Sequence, residues 1–137
     1  MEEYHCPYND LDSIMKGVAK DLEVNDLNLD QKVVKLPLVK HFWVGKLILC
    51  EAELKHREQE RAELIKALES YEKSSEIALT KDSLRKKAMA SPKMQELNAR
   101  IDELHYIIEY LKEAKYFIGR ATDDLKNFIE VKKLEQL

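Results

Sequence analysis

Glycine and proline are rare in this sequence. The 137 residues include only 3 of each, whereas charged residues make up 36% and hydrophobic residues 45%. A chain with so few turn-forming residues favours long helices within about one domain. The shortage of glycine also excludes a glycine-rich phosphate cradle, since neither G-x-G-x-x-G nor G-x-x-x-x-G-K occurs.

Cysteine is scarce as well, and the two cysteines form no C-x-x-C pair. His5 stands beside Cys6 in "YHCPY", but adjacent residues cannot complete a tetrahedral site without a second spaced pair. We therefore expect no metal and no cofactor. Cys6 and Cys50 are typical of reduced thiols in a cytosolic protein.

Long apolar runs and targeting signals are also missing. The N-terminus is acidic, where a signal peptide would be basic and then apolar. No apolar run approaches the roughly 18 residues of a membrane span. These absences predict a cytoplasmic protein without a membrane partner.

The net charge of −3 is unevenly distributed. Residues 1–30 hold eight acidic and two basic residues, a net charge of −6, so the remainder carries +3. This asymmetry is typical of an acidic arm on a mildly basic body, although a solubilising terminus would look the same. We predict an acidic N-terminal arm with a short helix over 1–30, and a helical hairpin for oligomerisation and binding over 31–137.

Capping residues and apolar spacing predict three helices. Asn9 or Asp10 can cap a short amphipathic helix that reaches about Val24, followed by a turn-prone linker over 25–30. Pro37 is expected to mark the boundary before the first long helix. Ser91 and Pro92 read as an N-cap and a first helical residue, and start the second long helix.

Both long helices carry apolar seams with alternating steps of three and four residues. The first seam is interrupted by two arginines and comprises Trp43, Leu47, Cys50, Leu54, Arg57, Arg61, Leu64, Leu68 and Tyr71. The second comprises Met94, Leu97, Ile101, Leu104, Ile108, Leu111, Lys115, Ile118, Thr122, Leu125, Ile129 and Lys132.

The apolar stripe of the last helix widens after residue 107. A wide stripe needs more than one neighbouring helix, and unbroken helices of about 60 Å would overhang a globule about 36 Å across. The sequence therefore predicts an all-α, long antiparallel hairpin that assembles into a homo-oligomer. The predicted oligomerisation residues are Ile108, Leu111, Phe117, Ile118, Ala121, Leu125 and Phe128.

Enzyme signatures are absent. The sequence has no G-x-S-x-G and no H-E-x-x-H, and its four histidines are scattered over different elements. Carboxylates spaced three or four residues from Lys or Arg are better explained as helix-surface pairs. We expect a binding protein and no enzyme.

A basic stretch before the last helix is the main candidate for binding. Residues 81–100, which include "DSLRKKAMASPKM", hold six basic and two acidic residues, a net charge of +4. Such a surplus can follow a phosphate backbone, but it is also common on a solvated face. Arg57 and Arg61 form a second candidate, which would either pair with glutamates of a partner helix or line a wet groove or oligomer rim.

Two blocks resemble the phage UvsY-type recombination mediators: "LPLVKHFWVGKLILCEAELKHREQERAELIKALESYEKS" and "SPKMQELNARIDELHYIIEYLKEAKYFIGRATDDLKNFIEVKKLE". The family typically shows a basic-x-basic segment, then paired aromatics and a glycine. Here the segment reads "KALESYEKS", in which Lys66 and Tyr71 match, while Leu68, Glu72 and Ser74 depart from the pattern.

The resemblance implies a ring-like homo-oligomer that binds single-stranded DNA. It would help load a RecA-like recombinase onto strands covered by single-stranded-DNA-binding protein, in DNA recombination and repair. If this is a phage protein, the location is the host cell cytoplasm. The candidate DNA-binding residues are Arg57, Arg61, Lys66, Tyr71, Lys73, Lys81, Arg85, Lys86, Lys87 and Lys93. The alternative is a structural coiled-coil scaffold or adaptor that binds only proteins.

Overall fold

The computed structural model describes residues 8–23, 29–73, 87 and 90–136. These residues form three helices: α1 (Leu11–Asp21), α2 (Leu29–Lys73) and α3 (Pro92–Glu135). No strand occurs in these ranges. The chain divides into two compact units, which we call the terminal unit (Met1–Leu49 and Tyr106–Leu137) and the middle unit (Cys50–His105).

The helix starts follow from local capping. Asp10 Oδ1 accepts the backbone N–H of Ser13 over 2.7 Å, so Asp10 is the N-cap of α1. Ser91 Oγ accepts the N–H of Met94 over 3.2 Å, and Pro92 takes the first helical position of α3. Both starts confirm the sequence prediction.

Pro37 lies inside α2, so the predicted boundary at this residue is wrong. Proline removes one helix hydrogen bond at a cost of about 3 kcal/mol. Pro37 is on the exposed side, where water can solvate the carbonyl that loses its donor, whereas Leu36 and Trp43 are buried. Burying two such side chains contributes roughly 1.5–3 kcal/mol each, which offsets the proline.

The predicted linker over 25–30 is also partly wrong. Leu29 and Asp30 already belong to α2, with Asp30 as an acidic residue of its first turn. Residues 25–28 lie outside the described ranges. At the other end of this stretch, α1 finishes at Asp21 with Leu22 as its cap, slightly before the predicted end near Val24.

In the terminal unit, α2 and α3 run antiparallel. Leu36 and Phe128 line one cleft together, and the side chain of Lys40 reaches Gly119. The all-α hairpin with a short N-terminal helix is therefore confirmed. The core of this unit consists of Ile14, Val18, Leu36, Trp43, Leu47, Ile107, Ile108, Leu111, Ala114 and Ile118.

Aromatic packing joins α1 to α2 in the terminal unit. Trp43 meets Tyr8 at a ring-centroid distance of 5.1 Å and Phe42 at 4.9 Å, both edge to face. Gly17 of α1 lies against the same indole, because a Cβ added there would be 2.9 Å from Trp43 Cη2. The short helix is thus held by one tryptophan and a glycine that permits its close approach.

In the middle unit the two seams differ in burial. Residues on α3 are buried, namely Met94, Leu97, Ile101 and Leu104. On α2 only Cys50 is buried among the described residues, and the rest of the described seam is half-buried: Leu54, Arg57, Arg61, Leu64 and Leu68. The two arginines that interrupt the first seam therefore lie where the α2 side of the hairpin is more exposed to solvent.

Candidate nucleic-acid interface

Three candidate lysines lie near the end of α2, near the start of α3 and in the stretch between them. Lys66 lies about two turns before the end of α2, and Lys93 is the second residue of α3. Both are exposed, as is Lys87 between the helices. Lys66 therefore lies toward the end of α2, and Lys93 at the start of α3, within the same unit.

Of the other candidates in this segment, two belong to α2 and three lie outside the described residues. Tyr71 and Lys73 belong to the last turn of α2. Lys81, Arg85 and Lys86 lie outside the described residues. The central part of the predicted basic run is therefore known from its sequence alone.

The positive charge of Arg57 is partly neutralised by two glutamates of its own helix. Its Nη1 donates to Glu60 Oε2 over 3.0 Å, and its Nε lies 4.0 Å from Glu53 Oε2. The Nε is buried, and within the described part of the chain no atom accepts its hydrogen bond. Two nearby carboxylates reduce the attraction of this guanidinium for a phosphate.

Arg61 reaches across the hairpin. Its Nη1 donates to Asn98 Oδ1 of α3 over 3.1 Å. The side chain therefore helps to join the helices in the half-buried section where apolar packing is thin. A hydrogen bond to a neutral amide leaves the positive charge of Arg61 in place.

A bidentate ion pair of the middle unit was missed by the sequence reasoning. Arg100 binds Glu53 in a bidentate manner, with Nε to Oε2 at 2.7 Å and Nη2 to Oε1 at 3.1 Å, and Nη1 donates to Glu103. These bonds, led by those to Glu53, raise the pKa of the Arg100 guanidinium. The sequence did contain a signal for this pair. Glu53 and Arg100 each directly precede a seam residue, so both lie beside the interface between the two helices.

The predicted oligomerisation residues fall into two groups. Ile108, Leu111 and Ile118 are buried within the chain itself. Phe117 is 49% exposed and Phe128 47%, so both present aromatic surface to solvent. Ala121, Leu125 and Phe128 also line a largely apolar cleft of about 320 Å³ with Leu22 and Leu36.

Two further properties concern the described ranges alone. Their helices do not combine the length and apolarity that crossing a membrane requires. Within the same ranges, no three His, Cys, Asp or Glu residues gather into a group that could hold a metal ion.

A short capped helix before two long antiparallel helices defines an all-α hairpin protein. This is the fold of UvsY, the recombination mediator protein of bacteriophage T4. Its lattice type II crystal structure matches with a TM-score of 0.74 and 13% identity, covering 93% of this chain and 98% of UvsY. The type IV structure gives 0.74 and 14% over 91% and 98%, and type I gives 0.72 and 13% over 89% and 98%.

Sequence comparison adds nothing to this likeness. No protein-family model matches the chain, and no curated protein matches it. The resemblance inferred from the two helical blocks is confirmed at the level of the fold, which is what a likeness at 13% identity shows.

Proposed function

We propose that this protein is a recombination mediator of the UvsY type. It binds single-stranded DNA and helps load a RecA-like recombinase onto strands covered by single-stranded-DNA-binding protein. It acts as a non-enzymatic homo-oligomer in the cytoplasm, that of the host cell if it is a phage protein. The observation that carries the proposal is the fold shared with UvsY over 93% of this chain.

The charges favour a weak DNA site on each protomer. Arg57 and Arg100 form ion pairs with nearby glutamates, which weakens their attraction for a phosphate. Exposed Lys66 and Lys93 are better placed to meet phosphates. Repetition of a weak site in an oligomer multiplies its affinity through effective concentration.

Salt dependence tests the DNA claim directly. Affinity for a fluorescent oligonucleotide should fall with salt on a log–log plot, with a slope of about −0.7 for each phosphate contact. Replacing Lys66 and Lys93 with Glu should reduce both the affinity and the slope. Lys112→Glu is a control, because it reverses the charge of an exposed lysine on α3 in the terminal unit.

The scaffold function is the competing proposal, and one observation favours it. In the middle unit, two of the arginines are already neutralised by acids of the same chain. A flat salt dependence, or no binding of the oligonucleotide, would reject the mediator in favour of a scaffold that binds only proteins. Equal binding by the Lys66 and Lys93 variants and the control would remove these two lysines from the DNA site.

Oligomerisation is tested on the exposed aromatic surface of α3. Phe117 and Phe128 are eleven residues apart, so they project from α3 within about 20° of each other. Phe117→Glu should lower the sedimentation mass of the particle at micromolar concentration, because it places a charge in the proposed contact. Tyr116→Glu controls for a charge at an exposed aromatic on another side of α3. A wild-type monomer would reject the oligomer.

A further inference from the structure

The first half of α2 contains a basic stretch that the proposed DNA site does not use. Residues 31–50 include four lysines and one histidine but no Asp or Glu. Such a run is unusual in a chain that carries 26 acidic residues among 137. Its side chains belong to the terminal unit, apart from Cys50, so they are separate from the bases near Lys66.

An apolar stripe runs along the outer side of this stretch. Val34, Leu38, Phe42 and Leu49 are exposed by 74%, 71%, 49% and 67%. At 100° per residue they fall within an arc of about 80°. The buried residues of the same helix, Leu36, Trp43 and Leu47, lie on the opposite side. Within the single chain this second apolar face of α2 is open to solvent, which is the usual mark of an interaction surface.

Gly45 lies in the middle of the outer stripe. A Cβ added there would meet nothing within 4 Å, so no packing inside the chain requires a glycine. A glycine inside a helix also lowers its stability relative to alanine. What Gly45 offers is a gap between Phe42 and Leu49 where a partner can approach the α2 backbone closely.

Positive charge borders the stripe. On the helical wheel, Lys35 and Lys46 follow one edge, and residues 31–50 place no Asp or Glu on either edge. The complementary surface is a helix with apolar residues three and four apart and with acidic residues along its edges.

We propose that this outer face of α2 docks an acidic amphipathic helix of a partner protein. From Val34 to Leu49 it offers about 22 Å, or four helical turns. The inference rests on the stripe, the gap and the charge complementarity, and it holds whether or not the protein binds DNA.

A synthetic peptide tests the proposal with the full-length protein. The probe is a labelled helix of about 18 residues with leucines at alternating three- and four-residue spacing and glutamates along both edges. Its twin carries lysines in place of the glutamates. Fluorescence anisotropy should show saturable binding of the acidic peptide, at least tenfold tighter than that of the twin.

Matched variants locate the binding surface. Leu38→Glu should weaken binding of the acidic peptide at least tenfold, and Lys35→Glu should weaken it severalfold and partly restore binding of the twin. Leu134→Glu is the control, because it makes the same change at a leucine of similar exposure, 67%, on α3. It should leave the affinity unchanged.

Gly45→Ala separates binding from stability. The variant should unfold at a higher temperature, because alanine favours the helix, yet bind the acidic peptide more weakly, because the gap is filled. Gly119→Ala provides a comparison at a glycine of α3, where the nearest atom to an added Cβ is the flexible Lys40 Nζ at 3.4 Å. It should not change peptide binding.

Several results would overturn the proposal. Absence of saturable binding, or equal affinity for both peptides, removes the acidic partner. A lower sedimentation mass of Leu38→Glu without peptide identifies the stripe as a contact between copies of this chain. Binding to vesicles rich in phosphatidylserine that is lost in Leu38→Glu, without any peptide binding, assigns the stripe to a lipid surface.

Discussion

Trp43 Nε1 donates a hydrogen bond to Asp21 Oδ2 over 2.9 Å, which joins the end of α1 to α2. Trp43 is buried, so its indole N–H would otherwise lose water without gaining a partner. Asp21→Ala should therefore reduce the free energy of unfolding by about 1–3 kcal/mol, whereas Asp21→Asn, which keeps an acceptor oxygen, should lose less. Urea denaturation followed by the fluorescence of Trp43, the only tryptophan, measures both. A negligible loss in both variants would show that the hydrogen bond contributes little.

Gly17 and Gly45 should respond to alanine with opposite signs. At Gly17 an added Cβ would lie 2.5 Å from Tyr8 Cε1 and 2.9 Å from Trp43 Cη2. Overpacking of this kind costs about 1–3 kcal/mol, which exceeds the gain in helix propensity of about 1 kcal/mol. Gly17→Ala should therefore lower the midpoint of thermal denaturation, and Gly45→Ala should raise it. A rise in both would mean that Tyr8 and the indole move aside at little cost.

Arg100 and Glu53 should act as a geometrically specific pair. The two-pronged contact needs a planar guanidinium. Arg100→Lys should therefore lose much of the roughly 1–2 kcal/mol that a partly screened, charge-assisted contact of this kind contributes. A double-mutant cycle with Glu53→Gln measures the coupling. The cycle of Lys16 and Asp12, an exposed pair on α1, should show a smaller coupling, because water screens it.

Tyr110 should make the folded state sensitive to alkali. Burial raises the pKa of its phenol above the usual value of about 10. At a pH between the unfolded and folded pKa, the folded chain keeps a proton that the unfolded chain has released. Stability is therefore unaffected below about pH 10 and falls as pH rises through the folded pKa.

Chemical denaturation at a series of pH values checks this expectation. Tyr110→Phe should remove part of the alkaline loss, because phenylalanine does not titrate. Tyr116→Phe changes an exposed tyrosine of the same helix and should keep the full loss. If the two variants behave alike, Tyr110 is not the source.

Features set by neighbouring residues could be read from the sequence. The caps at Asp10 and Ser91 were predictable because a cap involves residues three apart in the chain. The seam of α3 was predictable in large part, because its residues from Met94 to Ile118 are buried except Lys115. That residue is exposed, and Ala114 is buried in its place. Pro37 misled the prediction because the local rule for proline carries no information about the burial of Leu36.

Contacts between helices could not be read in the same way. Trp43 and Asp21 are 22 positions apart, and Arg100 and Glu53 are 47. Their pairing depends on the register of one helix against another, which a periodic seam leaves undetermined. The likeness to UvsY was nevertheless detectable from the two helical blocks, and the fold matches although only 13% of residues are identical.

The terminal unit is assembled from two stretches of chain, Met1–Leu49 and Tyr106–Leu137, with the whole middle unit between them. Bringing those stretches together from an open chain means closing a loop of more than 50 residues, at a cost in entropy that must be met before any contact forms. Pairing α2 with α3 in the middle unit shortens that loop. The connectivity therefore favours pairing in the middle unit before α2 meets α3 in the terminal unit, whereas the contact of Trp43 with Asp21, only 22 positions away, does not depend on that loop.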